Sequence, residues 1–155
     1  MRPLFTRESD IRIDRDGHFW HDGQRIEHPG LARAFAHWIA VDPESGRYIL
    51  KNEVDWCFIK VDDTPLVVRT LARGEAGELR LHLSDESSEP LDPASLRIGP
   101  DDVPYCRVRG GTLPARFSRA AAFALLEDAR PDASGDAIVI VLPGGRELSV
   151  PRTAR

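Results

Sequence analysis

The sequence predicts an α+β protein built on a mostly antiparallel, bent or roll-like β-sheet in two fused lobes, with about two helices. Three observations carry this reading. Short apolar runs alternate with period 2, and Gly-, Asp- and Pro-rich turns separate them at close spacing. Only two stretches, opening at Pro29 and Arg119, show helical spacing. With 155 residues, 41% hydrophobic and 30% charged, the chain can bury a core without disulfides or a structural metal.

The elements follow in order. Residues 1–9 read as a flexible tail. Ile11 and Ile13 alternate with Asp10, Arg12 and Asp14, as in a half-buried strand. Asp14-Arg15-Asp16-Gly17 turns the chain, His18-Phe19-Trp20 returns, and after His21-Asp22-Gly23 a third strand completes a meander. Pro29 suits a first helical turn, where its missing N–H costs nothing. Leu31, Phe35, Trp38 and Ile39 then form a stripe, with Arg33, Ala36, His37 and Ala40 facing away, and 42–46 ends the helix.

Arg47 to Leu50 is a short strand. Val54 to Val61 is apolar on both faces and reads as a long central strand, with Leu66 to Leu71 as its partner across the Asp62-Asp63-Thr64-Pro65 turn. Trp56 and Phe58 are then expected to meet Phe35 and Trp38 in one core. Leu79, Leu81 and Leu83 alternate with Arg80 and His82. Residues 84–102 hold six acids, three prolines and one arginine, Arg97, and read as a solvated loop with a short strand near Leu96–Ile98. Residues 103–126 hold four arginines and no acid. Tyr105 to Arg109 is a strand, Ser118 an N-cap, and Arg119 to Ala129 a helix buried through Ala122, Leu125, Leu126 and Ala129. Ala137–Leu142 and Arg146–Val150 close the chain as a hairpin. The expected division is a tail over 1–9, an N-terminal lobe over 10–83 and a C-terminal lobe over 84–151, the lobes forming one compact unit.

Composition narrows the function classes. A net charge of −4 argues against a globally basic nucleic-acid binder. Met1 to Asp10 has no apolar core of a secretion signal, and no run of 18 apolar residues occurs, so a cytoplasmic location without membrane association is expected. The chemistry-bearing patterns are sparse. His18, His21 and His28 straddle turns and lack the convergent spacing of a zinc site, and Asp14-x-Asp16-Gly17 lacks the further acids of a calcium loop. No metal and no cofactor is expected. No nucleophile elbow, phosphate-binding P-loop or dinucleotide fingerprint is present.

The segment least like background is Tyr105-Cys106-Arg107-Val108-Arg109. Strand parity puts Tyr105, Arg107 and Arg109 on one face, and Arg116 and Arg119 follow at the next helix. Forked guanidinium groups beside an aromatic form a platform for phosphate, a nucleotide or single-stranded RNA. The competing reading pairs these arginines with the acids of 84–102.

With these segments placed, the chain resembles the bacterial domain-of-unknown-function family 1285 from about Ile11 to Val150. Asp16-Gly17-His18-Phe19-Trp20 with Asp22-Gly23, the helix around Leu31–Phe35, Val61–Val68 and Pro104–Gly111 leading into Leu113 and Ala115 carry the resemblance. It implies two fused roll-like lobes and no established activity, so no site residues transfer.

The function expected is a non-enzymatic binding or regulatory module with an anion-binding face at Tyr105, Arg107, Arg109, Arg116 and Arg119. Its partner is a phosphate-bearing ligand or a protein, and a homodimer is allowed. The alternative is a small enzyme acting on a phosphorylated or nucleotide-like substrate, with Asp62 or Asp63 as its acid. Cys57 and Cys106, both in apolar alternation, are expected to be reduced and unreactive. Native protein mixed with a thiol reagent at neutral pH should label only after denaturant is added; fast labelling of the folded chain would refute this.

Overall fold

In the computed structural model, residues 7–153 are described. Among the described residues, two α-helices and sixteen strands in four open sheets give the sheet-dominated α+β class. The chain divides into two compact units at Pro65–Leu66. The boundary expected at residue 83 is therefore too late, because the strands over 66–83 pair within the second unit's sheet.

The first unit opens with the meander β1 (Arg12–Ile13), β2 (Phe19–His21) and β3 (Gln24–Arg25). Asp14 closes its first turn: its carboxylate accepts from the backbone N–H groups of Asp16 and His18, each at 2.9 Å, and from Trp20 Nε1 at 2.8 Å. Helix α1 (Pro29–Trp38) starts on Pro29, and the Nδ1 of His28 accepts from the Leu31 N–H at 3.2 Å as its cap. The chain then passes directly into β4 (Ile39–Val41), which pairs antiparallel with β5 (Tyr48–Lys51), and β5 with β6 (Trp56–Phe58). Residues 42–46 are thus a hairpin turn rather than a helix end. The buried stripe of α1 also differs from expectation: Ala36 is 3% exposed and Leu31 42%.

The run Val54–Val61 is not one central strand. It breaks at Ile59, where β6 ends and β7 (Lys60–Val61) joins β1 in parallel. The Ile59 N–H donates to Tyr48 O at 3.1 Å, and the Lys60 N–H donates to Ile11 O at 3.0 Å. One apolar segment therefore serves the edges of two sheets, which explains why both its faces are apolar. Val54, at the hairpin tip, is 92% exposed. Of the expected tail, Arg7–Ser9 are tied down instead: the Phe58 N–H donates to Arg7 O at 2.7 Å, and the Ser9 hydroxyl donates to Phe58 O. Residues 1–6 lie outside the described residues.

The second unit is organised by a six-stranded sheet. Its strands are β8 (Leu66–Arg73), β9 (Leu79–Leu83), β10 (Ser88–Pro90), β11 (Arg97–Ile98), β12 (Pro104–Val108) and β13 (Leu113–Phe117). The order is β10-β9-β8-β13-β12-β11. β8 pairs with β9 and, in parallel, with β13, so the expected hairpin partner of 54–61 belongs to another sheet. A bulge between Val68 and Thr70 turns β8. Next to it, the Arg69 carbonyl accepts from the Ser118 hydroxyl at 2.9 Å. Ser118 also caps α2 (Arg119–Leu125), accepting from the Ala121 N–H at 3.0 Å. This helix is shorter than expected and buries Ala121 and Leu125, while Phe123 is 75% exposed. Ahead of β14 (Arg130–Pro131), the chain forms no further helix; β15 (Ala137–Val141) and β16 (Glu147–Pro151) close as the expected hairpin.

One face of the six-stranded sheet is dry. Leu66, Val68, Leu81, Leu83, Ile98, Cys106, Val108, Leu113, Ala115 and Phe117 are all 2% exposed or less. Phe117→Ala should therefore cost about 3–5 kcal/mol in chemical denaturation. Trp38, only half-buried, should cost roughly 1–2 kcal/mol on truncation, because less of its surface leaves water. Equal losses for the two would show that the dry face is not the dominant core.

Candidate functional site

The dry face fixes where the other side chains of that sheet must go, because neighbours along a strand point to opposite faces. Cys106 and Val108 of β12 enter the core, so Tyr105 and Arg107 share the opposite face. The same parity places Arg97 of β11, Arg116 of β13 and Val67 of β8 there. Register then aligns them: Arg97 stands opposite Tyr105, Tyr105 opposite Arg116, and Arg116 opposite Val67. A row of arginine, tyrosine and arginine thus crosses three adjacent strands, with Arg107 two residues further along.

The row is in contact. The Arg97 guanidinium lies 4.6 Å from the centre of the Tyr105 ring, and that of Arg116 lies 6.0 Å away. Nη1 of Arg116 donates to the Tyr105 hydroxyl at 3.2 Å. Tyr105 itself is 7% exposed. Gly99 lets the ring lie that close, since a Cβ there would stand 2.8 Å from Cε1 of Tyr105. A buried ring against backbone is no stacking platform for a base, which removes the nucleobase part of the sequence reading. The guanidinium chemistry stays.

Arg107 is exposed, and its side chain donates to the carbonyls of Gly111, at 2.9 Å through Nε, and of Thr112, at 3.4 Å through Nη2. Its backbone N–H donates to Ser95 Oγ at 3.0 Å. Among the described residues, neither Arg97 nor Arg107 has a carboxylate partner. Arg119 also lacks one and is exposed at the start of α2, outside the row.

Arg109 departs from the expected face. Its φ of 53°, followed by 68° at Gly110 and 84° at Gly111, takes the backbone into the left-handed region and ends the alternation. Its guanidinium donates to Oδ2 of Asp85 at 2.8 Å, and its backbone N–H donates to the Glu89 carboxylate at 3.1 Å. Asp85 is 2% exposed, and its Oδ1 accepts from the Ser87 N–H at 2.9 Å and from the Ser87 hydroxyl. Burial alone would raise the Asp85 pKa, but the hydrogen bonds from Arg109 and Ser87 outweigh it and hold the carboxyl below its ordinary range. Here the acidic stretch does neutralise an arginine, and this pair anchors the β12–β13 turn.

Sequence reasoning missed Arg97, which it read as the lone cation of an acidic loop. The signal was available in the Arg97–Ile98 parity: pairing β11 with β12 so that Ile98 enters the core leaves Arg97 beside Tyr105.

The other candidates are placed apart. Asp62 is ion-paired with Arg12. His18 and His21 each sit beside carboxylates, in Asp14–Asp16–His18 and Asp10–His21–Asp22, while His28 caps α1. Asp22 shares a hydrogen bond with Asp10; this raises the Asp22 carboxyl and lowers that of Asp10. A hollow of about 430 Å³ between the ends of β8, α2 and the β15–β16 turn is lined by Arg73, Glu127 and Asp128 with apolar neighbours. Cys106 is buried, and desolvation pushes its thiol up to about 12, so no thiolate forms near neutrality. Cys57 is half-buried. No helix among the described residues is long and apolar enough to cross a membrane.

Fold and site together define a sheet-dominated α+β protein of two units, the second carrying an arginine–tyrosine row on its main sheet. The comparisons with known proteins bear on the fold. Residues 1–64 match the model "Domain of unknown function (DUF1285), N-terminal domain", which ends one residue before the first compact unit does. Over that stretch the chain is similar to the DUF1285 family. The crystal structure of a DUF1285 family protein from Silicibacter pomeroyi DSS-3 is similar, with a TM-score of 0.71 at 23% identity, covering 97% of this chain and 84% of that one. A DUF1285 family protein from Shewanella baltica OS155 has a TM-score of 0.61 at 19% identity, covering 74% and 87%. These likenesses show the fold alone. No curated protein matches the sequence.

The buried Asp85–Arg109 pair makes a stability prediction. Arg109→Ala strands a buried carboxylate and should cost about 3–5 kcal/mol at pH 7. The folded-state pKa of Asp85 lies below its unfolded value. The pair therefore contributes fully above the ordinary carboxylate value of about 3.9, and the contribution is lost as pH falls through the lowered folded-state value. Urea denaturation should show the gap between wild type and variant closing in that acid window. A gap constant from pH 7 to pH 3 would contradict the assignment.

Proposed function

We propose that the protein is a non-enzymatic binding module that holds a small phosphate-bearing anion on the arginine face of its six-stranded sheet. Arg97 and Arg107 supply the principal contacts. Arg116, held by the Tyr105 hydroxyl, supplies a third positive charge at a fixed place, while Arg119, outside the row, is not part of the site. The observation that carries this reading is the aligned row Arg97–Tyr105–Arg116, with two neighbouring guanidiniums lacking a carboxylate partner among the described residues. Guanidinium forks match the oxygens of a phosphate and are weakly hydrated, so they give up water at small cost. Arg109 stands outside this site because Asp85 takes its guanidinium and Glu89 its backbone N–H. Tyr105 acts as the spacer that sets the two guanidiniums apart, not as a surface for stacking.

Titrating inorganic phosphate and ADP at low salt, with amide shifts followed by NMR, tests the proposal. Shifts should centre on 97, 107 and 116, and affinity should fall as salt rises, since the attraction is Coulombic. Arg97→Ala and Arg107→Ala should each weaken binding about tenfold, the scale of one charge-assisted hydrogen bond. ADP binding no more tightly than its phosphates alone require would agree with an occupied Tyr105 ring. Shifts absent from all three positions would sink the proposal.

A further inference from the structure

The first unit holds a second feature that the arginine face does not use. Between α1 and the β5–β6 hairpin lies a hollow of about 160 Å³, lined by Phe35, Trp38, Leu50, Asn52, Trp56 and Cys57. Phe35, Trp38 and Trp56 are each only half-buried, whereas Ile13, Phe19, Ile39 and Ile49 of the same unit are 4% exposed or less. Phe35 packs on Phe19 and Trp56 on Phe58, with ring centres 5.5 and 5.1 Å apart, but Trp56 does not close on Phe35 or Trp38. Phe35 touches Trp38 with ring centres 5.8 Å apart, and Trp56 faces them across the hollow from β6. Three partly exposed aromatic rings around one concavity offer a small ligand apolar contact on several sides.

Charge narrows the occupant. The carboxylate at the rim, Asp55, is ion-paired with Arg7 and disfavours an anion. The Arg7 guanidinium lies 4.5 Å from the Trp56 ring centre and disfavours a cation. The rim is thus balanced and favours a neutral molecule. Size narrows it further, since an apolar cavity of about 150 Å³ takes one benzene ring. Asn52 adds a polar handle. Its Oδ1 accepts from the N–H groups of Val54 and Asp55, both at 2.8 Å, which fixes the amide and leaves Nδ2 as its only donor. Nδ2 has no partner among the described residues.

We infer that this hollow is a binding site for a neutral, single-ring aromatic molecule carrying a hydrogen-bond acceptor, its ring among Phe35, Trp38 and Trp56 and its acceptor on Asn52 Nδ2. The site is independent of the arginine face.

The three tryptophans provide the readout. Trp38 and Trp56 line the hollow, while the indole N–H of Trp20 is held by Asp14 at 2.8 Å and serves as an internal reference. Phenol titrated into the full chain should move the Trp38 and Trp56 indole signals saturably and leave that of Trp20 in place. Cyclohexanol, similar in size but not aromatic, should bind roughly fivefold more weakly. Leu50→Phe and Cys57→Phe each fill the hollow, and a variant whose Trp20 signal stays in place should lose the phenol response. Non-saturating shifts, equal movement of all three indoles, equal affinity for cyclohexanol, or an undiminished response in both filled variants would overturn the inference. Trp38 and Trp56 signals that move with protein concentration alone would assign the hollow to a second copy of the chain and overturn it as well.

Discussion

The second unit depends on one constraint, the strict alternation of side chains across a sheet with one dry face. Once Cys106, Val108, Ala115, Phe117 and Ile98 are committed to the core, no freedom remains for the residues between them. Arg97, Tyr105 and Arg116 are forced onto the opposite face, and the strand register brings them into line. The arginine row is in that sense a consequence of core packing. A one-residue slip of β12 would bury Arg107 and expose Val108, at a cost no surface ion pair could offset.

The same constraint shows why Arg109 behaves differently from Arg107. Alternation holds only while the backbone stays extended. At Arg109 the chain enters the left-handed region, and the side chain leaves the row for Asp85. The acidic stretch before β12 thus has a specific role. It takes the arginine at the turn and leaves Arg97 and Arg107 without carboxylate partners among the described residues. Two arginines two residues apart, drawn from one charge-rich segment, divide between anchoring the fold and presenting charge.

Features set by nearby residues were legible in the sequence. The β1–β3 meander, the Ser118 cap and the closing hairpin rest on alternation, turn residues and capping chemistry within a few positions. Features set by distant partners were not. The run 54–61 reads as one strand because its apolarity is continuous, yet its hydrogen bonds change partner at Ile59, which only the placement of Tyr48 and Ile11 decides. Likewise, the pairing of β8 with β13 joins segments about fifty residues apart. In α1, the small Ala36 faces the core and the larger Leu31 does not, because close packing of helix on sheet favours a small side chain at the contact. Of the candidate site, the strand parity of Tyr105 and Arg107 was readable. The exit of Arg109, the burial of the Tyr105 ring and the arrival of Arg97 all needed the register.

The central claim is that sheet register, rather than charge density in the sequence, assembles an anion site. Crystals soaked in tungstate and measured for anomalous scattering test it most directly. The account predicts a peak within hydrogen-bonding reach of the guanidiniums of Arg97 and Arg107, on the face that carries Tyr105. A peak confined to Arg119 or to other surface arginines, with none at this face, would contradict it.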